Sequence, residues 1–273
     1  MARMGPMSFS FPEFHGATRR LILVNLAAFF VLLLLQLADR SNLSWVILHL
    51  GFLPQAFLHG WLWQPLTYSL IHPPGAILAT LFELLSIWFL AGFLEAYRGE
   101  SWLMGLYATS VIGTAIAAAA IYDTADKFGH PIEQVPLYGC MGGIFGLLIA
   151  IGVLYGDVEF MMFFVINIKA RYLAAIYALI AVAMLFGQNK LYAVAQLGGA
   201  LAGLLFIRFA PRRGVSFGAS EWMYGLRNRY YRWKRRRAGR KFEVYMKKQG
   251  RTVRLDSRGR QIEEDPDDRS RWN

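Results

Sequence analysis

The sequence predicts an all-α membrane protein, a bundle of six transmembrane helices followed by a basic cytoplasmic tail. Three observations lead there. The 273 residues are 56% hydrophobic and only 17% charged, with a mean hydropathy of +0.34, whereas soluble domains carry about a quarter charged residues. Apolar stretches near the ~20 residues that span a bilayer recur along the chain. The formal net charge of +11 is confined to one end: residues 211–273 hold 19 of the 29 Lys/Arg but 8 of the 18 Asp/Glu, so everything before them is neutral. These features exclude a disordered chain, a collagen and a disulfide scaffold. They also exclude a uniformly basic nucleic-acid binder.

Residues 1–20 form a short N-terminal segment, read as cytoplasmic. The first span covers 21–38, with Asn25 and Gln36 its only polar residues. It follows Arg19 and Arg20 as a signal peptide would. Its apolar run exceeds the usual 7–15 residues of a signal peptide and lacks a small-x-small cleavage site, so it is read as a retained helix. A long loop, 39–74, comes next. It is rich in Trp45, Phe52, Leu53, Phe57, Trp61 and Trp63, which suits a segment lying at the membrane interface or, alternatively, a folded cap. The second span, 75–94, is interrupted by Glu83. The third is 101–121, the fourth 137–155. The fifth, 172–187, is short and preceded by the apolar run 160–168; the sixth is 191–210 and contains Arg208.

Orientation follows from the distribution of cations. With the N-terminus inside, Arg3, Arg19, Arg20, Arg98, Lys169, Arg171, Arg208 and the tail all fall inside; only Arg40, Lys127 and Lys190 fall outside. Both termini are therefore expected in the cytoplasm. The absence of a recognisable organelle-targeting segment makes a bacterial cytoplasmic membrane the default expectation.

Metal and disulfide chemistry is not expected. Cys140 is the single cysteine, which leaves no intrachain disulfide and no cysteine-based zinc site. The histidines at 15, 49, 59, 72 and 130 show no ligand spacing on one helix. No cofactor is implied.

Several local patterns appear in one order. Trp63-Gln64-Pro65 and Thr67-Tyr68-Ser69-Leu70-Ile71-His72 lead into the second span, which ends Gly92-Phe93-Leu94-Glu95. The fourth span carries Gly139-Cys140-Met141-Gly142-Gly143-Ile144-Phe145-Gly146. Val165-Ile166-Asn167-Ile168-Lys169-Ala170-Arg171-Tyr172 precedes the fifth, and the sixth reads Ala195-Gln196-Leu197-Gly198-Gly199-Ala200-Leu201-Ala202-Gly203. Together, over roughly residues 20–210, they resemble the rhomboid family of intramembrane serine proteases, with a distant similarity to derlins. The resemblance implies a six-helix fold with a serine nucleophile on the fourth span and a histidine base on the sixth. It also implies a His and an Asn, four residues apart on the second span, that help hold the oxyanion.

Carried over residue by residue, the serine falls on Met141, the histidine on Gln196, the asparagine on Glu83 and the second-span histidine on Ala79. A serine-type mechanism needs a hydroxyl and a base within hydrogen-bond reach. A thioether cannot form an acyl-enzyme, and an amide cannot serve as the base. The resemblance therefore implies a pseudoprotease, one that binds transmembrane segments of client proteins, between spans two and five, without cleaving them. The alternative is a peptidase with a non-standard nucleophile such as Cys140 or Ser86. Cys140 is read first as a small buried packing residue, because on a helix it would point about 100° away from Met141 and no span contains a histidine. A transporter is disfavoured by the lack of paired intramembrane charges.

Glu83 is the most informative position. Mid-span, an ionised carboxylate costs a few kcal/mol, which favours a neutral acid that donates a hydrogen bond. Gln196 is its expected partner, so that Glu83, Gln196 and Met141 would form a polar pocket in place of the catalytic site. No second intramembrane acid is available to relay a proton. Gly139 with Gly143, Gly142 with Gly146 and Gly199 with Gly203 are each four apart, small faces that let spans four and six pack closely. In the tail, aromatics and cations from 222 to 251 suit anionic inner-leaflet lipids. No DNA partner is expected, RNA is disfavoured because no folded RNA module is visible, and the acidic end, 263–268, is expected to be disordered.

Overall fold

A computed structural model describes residues 12–129, 132, 135–162, 166–187, 189–209, 228–234, 237 and 248. Met1–Ser216 form one compact unit and Phe217–Asn273 a second. The first unit is almost entirely helical: α1 (Gly16–Ala38), α2 (Arg40–Leu50), α3 (Pro54–Leu58), α4 (Gln64–Thr67), α5 (Ile77–Arg98), α6 (Glu100–Lys127), α7 (Met141–Leu154), α8 (Ala170–Met184) and α9 (Lys190–Phe209). α1, α5 with its preceding turn, α6 and α9 are long and apolar enough to cross a membrane, and α7 and α8 are shorter apolar helices. The architecture agrees with the all-α membrane class expected from composition, with four helices of spanning length among the described residues.

Small residues decide how the helices meet. α9 packs along α6, and α7 lies against α6, α8, α9 and α5. A Cβ on Gly203 would sit 2.8 Å from Gly146 Cα, one on Gly199 2.6 Å from the Gly142 carbonyl oxygen, and those on Gly113 and Gly198 would overlap Ala202 and Ala117. The glycines at 142, 146, 199 and 203 therefore form the close face expected of them. α7 is the buried centre: Ile144, Phe145, Leu147, Leu148, Ala150 and Ile151 are all buried.

Three segments differ from the sequence expectation. The fourth span does not begin at 137. Leu137 pairs with Phe52 in an isolated antiparallel bridge, Gly139 takes φ +87°, and α7 starts only at Met141. Gly139 is a turn glycine, not part of a helix face. The apolar run before the fifth span is a hairpin, β1 (Glu159–Met162) against β2 (Ile166–Lys169), with Glu159 opposite Lys169 and Phe160 opposite Ile168. Opposite charges and apolar residues facing across the strands stabilise it. α5 continues to Arg98, past the expected end at 94, which brings Glu95 into the same helix as Glu83.

The long loop before α5 is a folded cap. Gln64 is fully buried; its Oε1 accepts from Leu53 N at 3.1 Å, and the Thr67 hydroxyl donates to Leu50 O at 2.7 Å. Phe52 and Tyr68 join the core, and Tyr68 OH donates to Val111 O on α6 at 2.9 Å. Trp45, His49, Trp61 and Trp63 stack in succession on the cap, with Trp45 and Trp63 exposed. The other end of this unit collects cations. Arg98 Nε donates to Tyr155 OH at 3.1 Å, Arg20 pairs with Glu100 at 3.5 Å and Arg171 with Asp157 at 3.1 Å.

In the second unit, residues 228–234 are helical. Tyr230, Tyr231 and Trp233 are exposed, and the Arg237 guanidinium lies 5.4 Å from the Trp233 ring centroid. Arg3, the acidic run 263–268 and the remainder of the 222–251 tail fall outside the described residues.

Candidate functional site

The residues singled out from the sequence separate into two neighbouring places, on either side of the turn that leads into α7. That turn is fixed from several directions. Leu137 exchanges two backbone hydrogen bonds with Phe52, and Gly139 N donates to Ile71 O at 2.9 Å and to Tyr68 O at 3.2 Å. Tyr192 OH on α9 donates to Tyr138 O. Gly139 must be glycine: its φ is left-handed, and a Cβ there would lie 3.0 Å from Glu83 Oε2.

The first place is a small gap between α6, α7 and α9. Met141 and Gly142 of α7, Tyr192, Ala195 and Gln196 of α9, Thr114 of α6 and Tyr68 line it. It offers about 10 Å³ to the centre of a water molecule, room for roughly one water. Met141 and Gln196, the two positions on which the rhomboid resemblance places its serine and histidine, are thus brought to one cavity. Neither a hydroxyl–imidazole pair nor a thiol lines it. Ala79 is exposed on α5, one turn ahead of Glu83, outside this cavity.

The second place centres on Glu83. Its expected partner Gln196 is not bonded to it. Glu83 Oε2 instead accepts from Cys140 N at 2.9 Å and from Cys140 Sγ at 3.0 Å, and it lies 3.2 Å from His72 Nε2. Glu83 acts as an acceptor rather than the donating acid expected, because the Cys140 N–H at the N-terminus of α7 points at the carboxylate. The three-residue pocket of Glu83, Gln196 and Met141 is therefore corrected to two sites: Met141 with Gln196, and Glu83 with His72 and Cys140.

One reason for setting Cys140 aside also needs correction. Cys140 is not on a helix but is the residue preceding α7, so the 100° helical offset from Met141 does not apply. The histidine that reaches it comes from the cap, not from a span. His72 is 2% exposed and Cys140 fully buried. The other candidate nucleophile, Ser86, donates its hydroxyl to Phe82 O at 2.8 Å within α5.

One polar residue was missed altogether. Glu95 is 5% exposed and accepts from Ala17 N at 2.7 Å, from Thr18 N at 2.9 Å and from the Thr18 hydroxyl. It closes the N-terminus of α1, the same physical role that Glu83 has toward α7. The available signal was an acid at the end of an apolar run with Gly16-Ala17-Thr18 ahead of another. The expected lack of a second acid in the membrane helices is corrected accordingly, although Glu95 is fully engaged at the helix terminus.

A comparison with curated proteins finds no match. A comparison with protein families does, and it overturns the bacterial cytoplasmic membrane expected from the lack of a targeting segment, because the family is described as eukaryotic. The match covers residues 21–220, from the first turns of α1 past the end of α9, and the chain belongs to this family, described as "Eukaryotic integral membrane protein (DUF1751)".

Proposed function

We propose that this protein is a rhomboid-like pseudoprotease that binds transmembrane segments of other membrane proteins without cleaving them. The observation that carries the reading is the cavity between α7 and α9. Met141 and Gln196 face it where the rhomboid resemblance puts nucleophile and base, a thioether that cannot form an acyl-enzyme and an amide that cannot serve as the base. In this reading α7 and α8 complete six crossings. At 14 and 15 residues they reach about 21–23 Å, and the flanking segments 137–140 and 185–187 extend them toward the ~30 Å hydrocarbon thickness.

The arrangement of α5 and α8 supports lateral binding. Both lean on α7, and neither packs along the other. Leu78, Leu81, Phe82 and Leu85 of α5 and Ile176, Leu179 and Ile180 of α8 are exposed, an apolar surface on either side of α7 that lipid or a client helix covers in the bilayer. A photoreactive residue at Phe82 or Ile180, in protein expressed in a eukaryotic membrane, tests it. The expected adducts map to transmembrane segments of other proteins; adducts to lipid alone would contradict the proposal.

The second reading is a peptidase with Cys140 as nucleophile, and the specific observation in its favour is the convergence of Cys140, Glu83 and His72. Against it, the carboxylate stands between thiol and imidazole, and the sulfur is sealed from solvent. The tail residues between 222 and 251 are proposed to contact anionic lipids, with Tyr230, Tyr231 and Trp233 at the interface.

A further inference from the structure

The geometry points to a divalent transition-metal site, of the zinc class, formed by His72, Glu83 and Cys140. These residues come from three separate segments: the cap, the second turn of α5 and the turn before α7. One ligand atom from each lies within 4.8 Å of the others. Two of the three edges are 3.2 Å, Nε2 to Oε2, and 3.0 Å, Sγ to Oε2. Tetrahedral zinc, with bonds of roughly 2.0–2.3 Å, sets its ligand atoms roughly 3.5 Å apart. Small outward shifts of these side chains accommodate the ion.

The groups around the His72 ring give a second geometric reason. A neutral imidazole has one N–H. Here both ring nitrogens face acceptors: Nδ1 is 3.3 Å from Leu70 O and Nε2 is 3.2 Å from Glu83 Oε2. With Nδ1–H donating to the carbonyl, the usual outer contact of a metal-bound histidine, Nε2 turns a lone pair toward a carboxylate. A cation between them removes the conflict. The Cys140 sulfur at the same oxygen favours the metal, because a thiolate is a strong zinc ligand and gives up its proton on binding.

Charge agrees. One thiolate, one carboxylate and one neutral imidazole around a divalent ion form a site of zero net charge, which a buried location tolerates far better than an unpaired ion. The mixed nitrogen, oxygen and sulfur donors fit zinc rather than magnesium or calcium. Three protein ligands leave a fourth position. Bound there, the ion ties the cap and the start of α7 to α5. A mixed site of this kind needs only one cysteine.

The test uses the full chain, purified in detergent without metal-chelate resin, loaded with Zn2+ alone, desalted and analysed for bound metal by mass spectrometry. About one zinc per chain is expected. Cys140→Ser and Glu83→Gln, checked for folding by circular dichroism, are expected to lower zinc affinity by roughly tenfold or more. Co2+ loaded in place of zinc is expected to give a thiolate-to-cobalt charge-transfer band in the near ultraviolet. No stoichiometric metal in the wild-type protein would overturn the site, as would unchanged binding in a folded Cys140→Ser. If both variants fail to fold, the wild-type cobalt spectrum decides: the band supports the site, and bound cobalt without it contradicts it.

Discussion

Helix α5 holds two inward-facing acids, half-buried Glu83 near one end and buried Glu95 near the other, and each closes the N-terminus of a different helix. The parallel extends to the glycine above each carboxylate. Gly16, φ +54°, precedes Ala17 and Thr18, and a Cβ there would overlap Glu95 Oε1; Gly139, φ +87°, precedes Cys140, and a Cβ there would press on Glu83 Oε2. What differs is the company. Glu95 accepts hydrogen bonds from two peptide amides and a threonine hydroxyl, none of which titrates or binds metal. Glu83 meets an imidazole and a thiol besides an amide. The same capping solution is purely architectural at one end and assembles reactive groups at the other. An acid in a membrane helix is therefore read by its partners, not by its depth.

The largest expected effect comes from Glu95→Ala. It leaves two amide N–H groups and a hydroxyl without their acceptor, a loss of about 3 kcal/mol, measurable by denaturant titration in detergent. Glu83→Gln keeps a carbonyl oxygen for Cys140 N and, with chelator present, is expected to cost about 1 kcal/mol. Equal losses at the two sites would break the comparison, since Glu83 would then be as architectural as Glu95.

The glycines sharpen it. Gly16→Ala must displace Glu95 and adds left-handed strain, whereas Gly139→Ala adds similar strain but meets Glu83 at a yielding 3.0 Å. Thermal shift is expected to rank Gly16→Ala as the more destabilising, with Gly139→Ala at about 1–2 kcal/mol. The reverse order would mean that the turn before α7 is the more rigid of the two.

The smallest effect belongs to a third capping acid, one in water. Asp39 accepts from Ser41 N at 2.9 Å and from the Ser41 hydroxyl at 2.6 Å, and these bonds, the side-chain one foremost, hold its carboxyl below the usual value. A lowered folded-state pKa contributes stability above the unfolded value, near pH 4, that is lost as the pH falls through the folded value. Because Asp39 is fully exposed, Asp39→Asn is expected to leave the melting temperature nearly unchanged at pH 7 and to alter only its dependence below about pH 4.

Much of the fold was legible because composition and glycine spacing are local signals. The faces Gly142/Gly146 and Gly199/Gly203 could be read four residues at a time, and they do meet. The start of α7 was not legible, since Leu137 and Tyr138 are apolar enough to extend a span, and only their pairing with Phe52 and Tyr192 shows them to be a turn. The hairpin was hidden for the same reason: Phe160 and Ile168 read as one greasy run until the strands fold against each other. Met141 and Gln196 could be singled out because the patterns that resemble the rhomboid family are contiguous in sequence. His72 and Cys140 lie 11 and 57 residues from Glu83, and no periodicity connects a loop, a helix and a turn.

The central proposal, binding without cleavage, is tested most directly on full-length protein reconstituted in bilayers. Serine- and cysteine-directed activity probes are applied alongside a generic transmembrane substrate, with an active rhomboid and the heat-denatured protein as controls. The expected result is no specific labelling and no cleavage by the folded protein. Cleavage together with a probe adduct mapped to Cys140 would contradict the proposal and make the Glu83 cluster an active site.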